Sequence, residues 1–221
     1  MSARGSGCPV VRHRHDSVAT GRDGAKRGGG ADRYPRRMLV RRLVPADAPA
    51  YRALMLDAYR GHPDAFTSSY AERAAQPADG WAWRLAPGEA ASQRVFGAFE
   101  GDALVGAGGW QRGDRVKVAH RAELFGMAVA PAARGRGAGR AIVEAILADA
   151  RAAGLVTIVL TVSDGNAAAE RLYARCGFVR TGVEPMAVRV GEAWVAKAAM
   201  WRRVDRDDPE PLAPPVPGPR R

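Results

Sequence analysis

Several things are scarce in this sequence, and each scarcity closes off a class of protein. Its two cysteines, Cys8 and Cys176, are too few for a scaffold built on disulfides. One lies in an Arg- and Gly-rich stretch and the other in a helical pattern, so no structural bridge between them is expected, and a reducing cytoplasm is the natural compartment. No apolar run approaches the roughly 18 residues of a membrane-spanning helix. The first residues lack the apolar core of a secretory signal. His13 and His15 stand as an isolated His-x-His without further ligands, so no metal is expected. There is no Gly-Lys-Ser/Thr step for a nucleotide P-loop, no Gly-x-Gly-x-x-Gly following a first strand, and no internal repeat.

Charge is one-sided but unevenly placed. The whole chain carries +11. Residues 1–37 hold nine Lys/Arg against three Asp, a net +6, and residues 202–221 hold five Arg against four acids, a net +1, which leaves +4 for 38–201. A nucleic-acid face needs its charge on the folded part, so none is expected here. The competing reading is a basic arm at 1–37 whose binding is salt-sensitive and disappears with that segment.

What is present falls into three stretches. Residues 1–37 have scattered Arg, Gly28-Gly29-Gly30 and no apolar period, and are expected to form a disordered basic tail. Met38, where the texture changes, is a candidate for the true translation start. Residues 38–203 read as one domain, and 204–221 as a Pro-rich disordered tail. Met38 to Leu43 reads as a strand. Pro45 and Asp47 open a helix with Tyr51, Leu54, Met55 and Ala58 at helical spacing. An interrupted helical region follows over about 69–85, broken by Pro77 and Gly80. Trp81 and Trp83 lie two apart on it and cannot both face inward. Strands are expected near 94–99 and 103–110, joined by Glu100-Gly101-Asp102, which has hairpin chemistry, and from Glu123 to Ala130.

After a Gly- and Arg-rich loop, a helix is expected to run to about Ala153, with Ile142, Val143, Ile146 and Leu147 on its buried side and Gly154 as its stop. Val156 to Val162, almost wholly β-branched, reads as a strand buried on both faces. Asn166 caps a further helix ending at Gly177. Phe178-Val179 and Trp194 to Trp201 are the last strands. The order is that of a mixed α/β domain with one strand–loop–helix–strand crossover over 123–162.

The strongest chemical signal is Arg134-Gly135-Arg136-Gly137-Ala138-Gly139-Arg140, which follows a strand and starts a helix. The first turn of a helix leaves its N–H groups unpaired and carries partial positive charge. Glycines let a phosphate approach those groups, and Arg134, Arg136 and Arg140 add cations suited to a diphosphate and a ribose phosphate. The bland alternative is an arginine-rich surface turn.

Arg134-x-x-Gly137-x-Gly139 resembles the Gln/Arg-x-x-Gly-x-Gly/Ala signature of the GNAT superfamily of N-acetyltransferases. The run Asn166-Ala-Ala-Ala-Glu170-Arg171-Leu172-Tyr173-Ala174-Arg175-Cys176-Gly177-Phe178 is similar to a second segment of that family, in the right order. The resemblance covers about 38–203. It implies a mostly antiparallel central sheet flanked by helices, with a splayed β-α-β crossover that binds acetyl-CoA. The pyrophosphate would lie on the loop and on Ala138. Pantetheine would pair with the backbone of Met127, Ala128 and Val129, in reach of Asn166.

The implied function is transfer of acetyl from acetyl-CoA to a primary amine of a small molecule or protein, without metal. Tyr173 is then the candidate general acid, and its alternative is a core tyrosine packed with Ala169 and Leu172. Glu123 is the candidate general base; alternation places it on the face of Phe125, Met127 and Val129, and its alternative is an exposed strand-end carboxylate. His120 is a further candidate base. Asp64, Ser68 and Ser69 lie in a loop within reach of an acceptor. A non-catalytic acyl-CoA-binding sensor is the alternative function, and a homodimer is compatible with such a domain. The sequence does not name the acceptor.

Overall fold

The computed structural model describes residues 38–86, 88 and 92–206; the expected tail 1–37 and most of the expected tail 204–221 lie outside the described residues. Seven strands form one sheet in the order β1-β2-β3-β4-β5-β7-β6. They are β1 (Met38–Arg42), β2 (Gln93–Glu100), β3 (Ala103–Arg112), β4 (Arg121–Val129), β5 (Thr157–Ser163), β6 (Val179–Val190) and β7 (Ala193–Arg203). Only β4 and β5 pair in parallel; every other pairing is antiparallel. The mixed, mostly antiparallel architecture is as the sequence implied.

Helices cover both faces. On one face lie α1 (Ala48–Gly61), α2 (Tyr70–Ala75) and α3 (Ala78–Arg84). Pro45 opens a short 3-10 turn, Pro45–Asp47, that runs into α1. Ala48, Tyr51, Met55 and Tyr59 then recur at helical spacing as its buried stripe. The break between α2 and α3 falls at Gln76-Pro77. Ser69 caps α2 through a reciprocal box with Glu72. These helices enclose a core with Leu43, Trp81, Val95, Phe99 and Ala128. Trp81 is buried and Trp83 is exposed, the division their spacing requires.

The other face holds α4 (Ala138–Ala152) and α5 (Ala167–Arg175) over a second core of Trp110, Ile142, Ile146, Ile158, Leu160 and Met200. Two features seat α4. Asp149 accepts from Trp110 Nε1 at 2.8 Å and from Arg94 at 2.9 Å. The glycines of β3 leave room for it. A Cβ on Gly108 would sit 2.2 Å from Met127 Sδ and 3.2 Å from Ile142.

Three expectations are corrected. β5 is not buried on both faces: Ile158, Leu160 and Val162 are buried against α4, whereas Thr157 and Val159 are half-buried and Thr161 is exposed. Its β-branched composition reflects strand propensity, and its second face looks toward a cleft. β6 is a twelve-residue strand, where only Phe178-Val179 was expected. Gly182 and Pro185 hid it; both fall where the pairing with β7 shifts register, the bulged setting in which a strand tolerates them. Val204, placed in the expected tail, is buried and bonds through its N–H to Val156 O at 2.8 Å.

Candidate functional site

The site begins where β4 leaves β5. The two strands pair only at Arg121↔Thr157, Ala122↔Ile158 and Glu123↔Val159. Beyond Glu123 they part, and among the described residues no strand covers that edge of β4. On its other edge, Ala107 pairs with Ala128 but Gly109 pairs with Phe125, so two steps of β3 oppose three of β4. The extra residue makes a bulge at Gly126, which has φ +64°, a conformation that costs any residue with a Cβ.

The bulge overturns the expected alternation. Ala122 and Leu124 pack into the α4 core, with Glu123 and Phe125 toward α1 and α3. After Gly126 the parity inverts: Met127 and Val129 pack on the α4 side and Ala128 on the α1 side. Glu123 therefore does not share a face with Met127 and Val129. It is an exposed residue within β4, not its first, and accepts from Gln111 Nε2 at 3.3 Å.

The loop after β4 passes through a 3-10 turn, Pro131–Ala133, into α4. Gly137 is the N-cap of α4, with φ +88°, and supplies no side-chain cap. The first helical bond runs from Ala141 N to Gly137 O at 3.0 Å, so the amides of Ala138, Gly139 and Arg140 precede the helical ladder. A Cβ on Gly135 or Gly137 would meet nothing within 4 Å, so the surface above them is open. Gly139 has another role: a Cβ there would lie 3.1 Å from Leu172 Cδ2, and its absence lets α4 start against α5.

The three arginines already hold partners on the protein. Arg134 donates through Nε to Val129 O at 3.2 Å and lies 2.8 Å from His62 Nε2. Arg136 pairs with Glu100 at 3.0 Å and Arg140 with Glu144 at 2.7 Å. An anion on the loop would share or exchange these partners. His62 was not singled out from sequence, because it belongs to a turn distant in the chain.

In the second motif, Asn166 Oδ1 accepts from Ala169 N at 3.1 Å and caps α5. Tyr173 is buried, packs edge-to-face on Phe178 at 5.8 Å, and belongs to the α4 core. Burial raises its hydroxyl pKa well above the ordinary phenol value, so it stays protonated at neutral pH. Exposed His120 lies in the turn before β4, where its carbonyl accepts from Val156 N and Thr157 N.

Opposite α4, a cavity of about 250 Å³ reaches the bulge and is lined by residues that include Tyr51, Arg73, Trp81, Arg84, Glu123 and Gly126. Ser68 lines it too, whereas Ser69 is committed to capping α2. Burial pushes the Tyr51 hydroxyl up to about 12. A second, more open cavity of about 500 Å³ meets the first at Gln111 and Glu123. The Asp64 carbonyl is held by buried Lys197 Nζ at 2.8 Å and by Ser163 Oγ at 2.7 Å, which ties the loop after α1 to the end of β5 and the middle of β7. Burial lowers the Lys197 pKa, partly opposed by Asp64.

Comparison with known proteins agrees with this geometry. The model of the acetyltransferase (GNAT) family matches residues 54–178. A mycothiol acetyltransferase of Cellulomonas flavigena is 30% identical over 159 residues, 71% of this chain and 45% of that protein. Its counterpart in Streptomyces scabiei is 34% identical over 150 residues, 66% of this chain and 44% of that protein. The chain thus spans less than half the length of these relatives. Among solved structures, a GNAT-family acetyltransferase of Streptococcus pneumoniae superposes with a TM-score of 0.69 at 22% identity, covering 76% of this chain and 100% of that one. The yncA protein of Salmonella typhimurium, solved with its cofactor acetyl-CoA, gives 0.65 at 20% identity, covering 80% and 99%.

Proposed function

Because the chain belongs to the acetyltransferase (GNAT) family, we propose that it transfers acetyl from acetyl-CoA to a primary amine, by direct attack of that amine on the thioester. The observation that carries this reading is the parting of β4 from β5 after Glu123, directly ahead of a helix whose first amides have no side-chain cap. The residues fit the co-substrate. Uncapped amides at Ala138, Gly139 and Arg140 suit a pyrophosphate. The edge of β4 that no strand covers, at Met127, Ala128 and Val129, suits the amides of pantetheine, with Arg134 releasing Val129 O and Asn166 adding its side-chain amide. Acetyl-CoA supplies an acyl carbon activated by a thiol leaving group.

The chain's own residues manage protons and position. An alkylammonium, with a reference pKa of about 10.4, must lose a proton before it can attack. Glu123, steadied by Gln111, accepts that proton and passes it to solvent. As the N–C bond forms and the C–S bond breaks, Glu123 takes the nitrogen's second proton, and Tyr173 protonates the departing sulfur and recovers its own proton from solvent. A backbone amide freed at the bulge donates to the acyl oxygen. The cytoplasm, where acetyl-CoA is made and used, is the proposed compartment. The test is a thermal shift with acetyl-CoA, paired with thiol release across a panel of amines. Stabilisation together with amine-dependent release supports the reading; no shift at millimolar acetyl-CoA sinks it. Stabilisation with no transfer to any amine points instead to a binding module.

A further inference from the structure

The cavity on the α1 side has an unequal inventory of charge. Arg73 and Arg84 both line it, and among the described residues Glu123 is the one carboxylate that does. The Arg84 guanidinium stands 5.5 Å over the ring of Phe125 and has no hydrogen-bond or carboxylate partner among the described residues. Arg73 donates to Gln76 Oε1 at 3.3 Å, stands 5.8 Å over the ring of Tyr59, and leaves Nε buried without a partner. Trp81 Nε1 is likewise buried and unpartnered. Buried donors are nearly always satisfied. Two guanidiniums on one cavity, short of acceptors from the chain itself, point to oxygen atoms supplied from outside it.

We infer that the acceptor is a small zwitterion, a primary amine a few atoms from an oxyanion, with the ammonium at Glu123 and the oxyanion at Arg73 and Arg84. This rests on the acetyl-transfer reading above and names the class of its acceptor. The two arginines line the smaller cavity, about 250 Å³, which has room for a skeleton of amino-acid size, while the larger one opens beyond Gln111 and Glu123. The aromatic walls, Tyr51, Tyr59 and Phe66 among them, take an apolar side chain. Polyamines are disfavoured, because two guanidiniums repel a second ammonium. Protein N-termini are disfavoured too, because they carry no oxyanion close to the amine.

The test uses the full chain and acetyl-CoA, reading thiol release. Matched sets are compared: α-amino acids, aminophosphonates with the same side chain, the decarboxylated amines, and spermidine. The best zwitterion is expected to exceed its decarboxylated counterpart by about 100-fold or more in kcat/KM, since a site with buried donors rejects an analogue that leaves them unpaired. The ratio of carboxylate to phosphonate turnover identifies the oxyanion. Arg84→Met should bring the preference down to about tenfold or less, mainly through KM, with the acetyl-CoA thermal shift unchanged. Should that variant not fold, Arg84→Lys and Arg73→Gln test the same preference, and the wild-type ratio stands by itself. Decarboxylated amines or spermidine turned over as well as the zwitterions, or turned over when no zwitterion is, overturn the inference alone. No transfer to any amine, or no stabilisation by acetyl-CoA, overturns the underlying reading as well.

Discussion

Asp47 holds the entry to α1 from three directions. Arg41 donates to its two oxygens at 2.7 and 2.8 Å, and Val44 N donates at 2.8 Å. The Arg41 bond is the main cause that lowers the carboxyl pKa, against the opposing effect of burial. Asp47→Asn is expected to cost about 1 to 2 kcal/mol by chemical denaturation; the lower end is favoured because the Arg41 side chain is 40% exposed. The folded pKa lies below the ordinary value, so this contribution is complete above that value and fades as pH falls through the lowered one. The gap between wild type and variant should close at acid pH, and a constant gap would show that the charge is irrelevant. Tyr173→Phe keeps the buried ring and removes only the hydroxyl. It should lower kcat by about 10²- to 10⁴-fold while leaving the acetyl-CoA thermal shift intact; full activity across pH would reduce Tyr173 to packing. At this scale the sequence was readable wherever local chemistry decides. The cap at Asn166 and the opposed tryptophans on α3 follow from spacing alone. His62, Arg73 and Arg84 were not readable, because their surroundings come from segments far apart in the chain.

Among the elements, the loop and α4 were legible because a glycine run after a strand has few other uses. Gly137→Asp places a like charge and a side chain on a left-handed position at the mouth of the helix. It should abolish stabilisation by acetyl-CoA and cost about 1 to 2 kcal/mol of fold stability; an undiminished shift would move the phosphate site elsewhere. β4 was legible as a strand but not as a bulged one. Gly126 sits in a run of ordinary strand formers, and the bulge is defined only by its register with β3. Gly126→Ala should cost about 1 to 2 kcal/mol for the positive φ, seen as a lower midpoint in denaturant, and should reduce kcat/KM more than stability alone accounts for. The same dependence on partners explains β5 and β6. A β-branched run states that a strand forms, not how many of its faces are covered.

For the molecule as a whole, the antiparallel sheet with its single parallel step followed from the order of elements and the two motifs. The cavity did not, since its walls come from α1, α2, α3, β3 and β4 together. A chain of Met38–Arg206 is proposed to be sufficient. Its melting temperature should fall within about 2 °C of the full chain's, with acetyl-CoA stabilisation retained; a clear loss in either would give residues 1–37 or 207–221 a part in the domain. The inverted parity of β4 also bears on how such a domain can diversify. Before Gly126 the odd positions look toward the α1 side, where the smaller cavity lies, and after it the even one does. Glu123 and Phe125, on the cavity wall, can therefore drift under selection for a new amine while Leu124, Met127 and Val129 stay under selection for the α4 face. A single strand carries two independent lines of descent, and one residue deleted at the bulge would cross them.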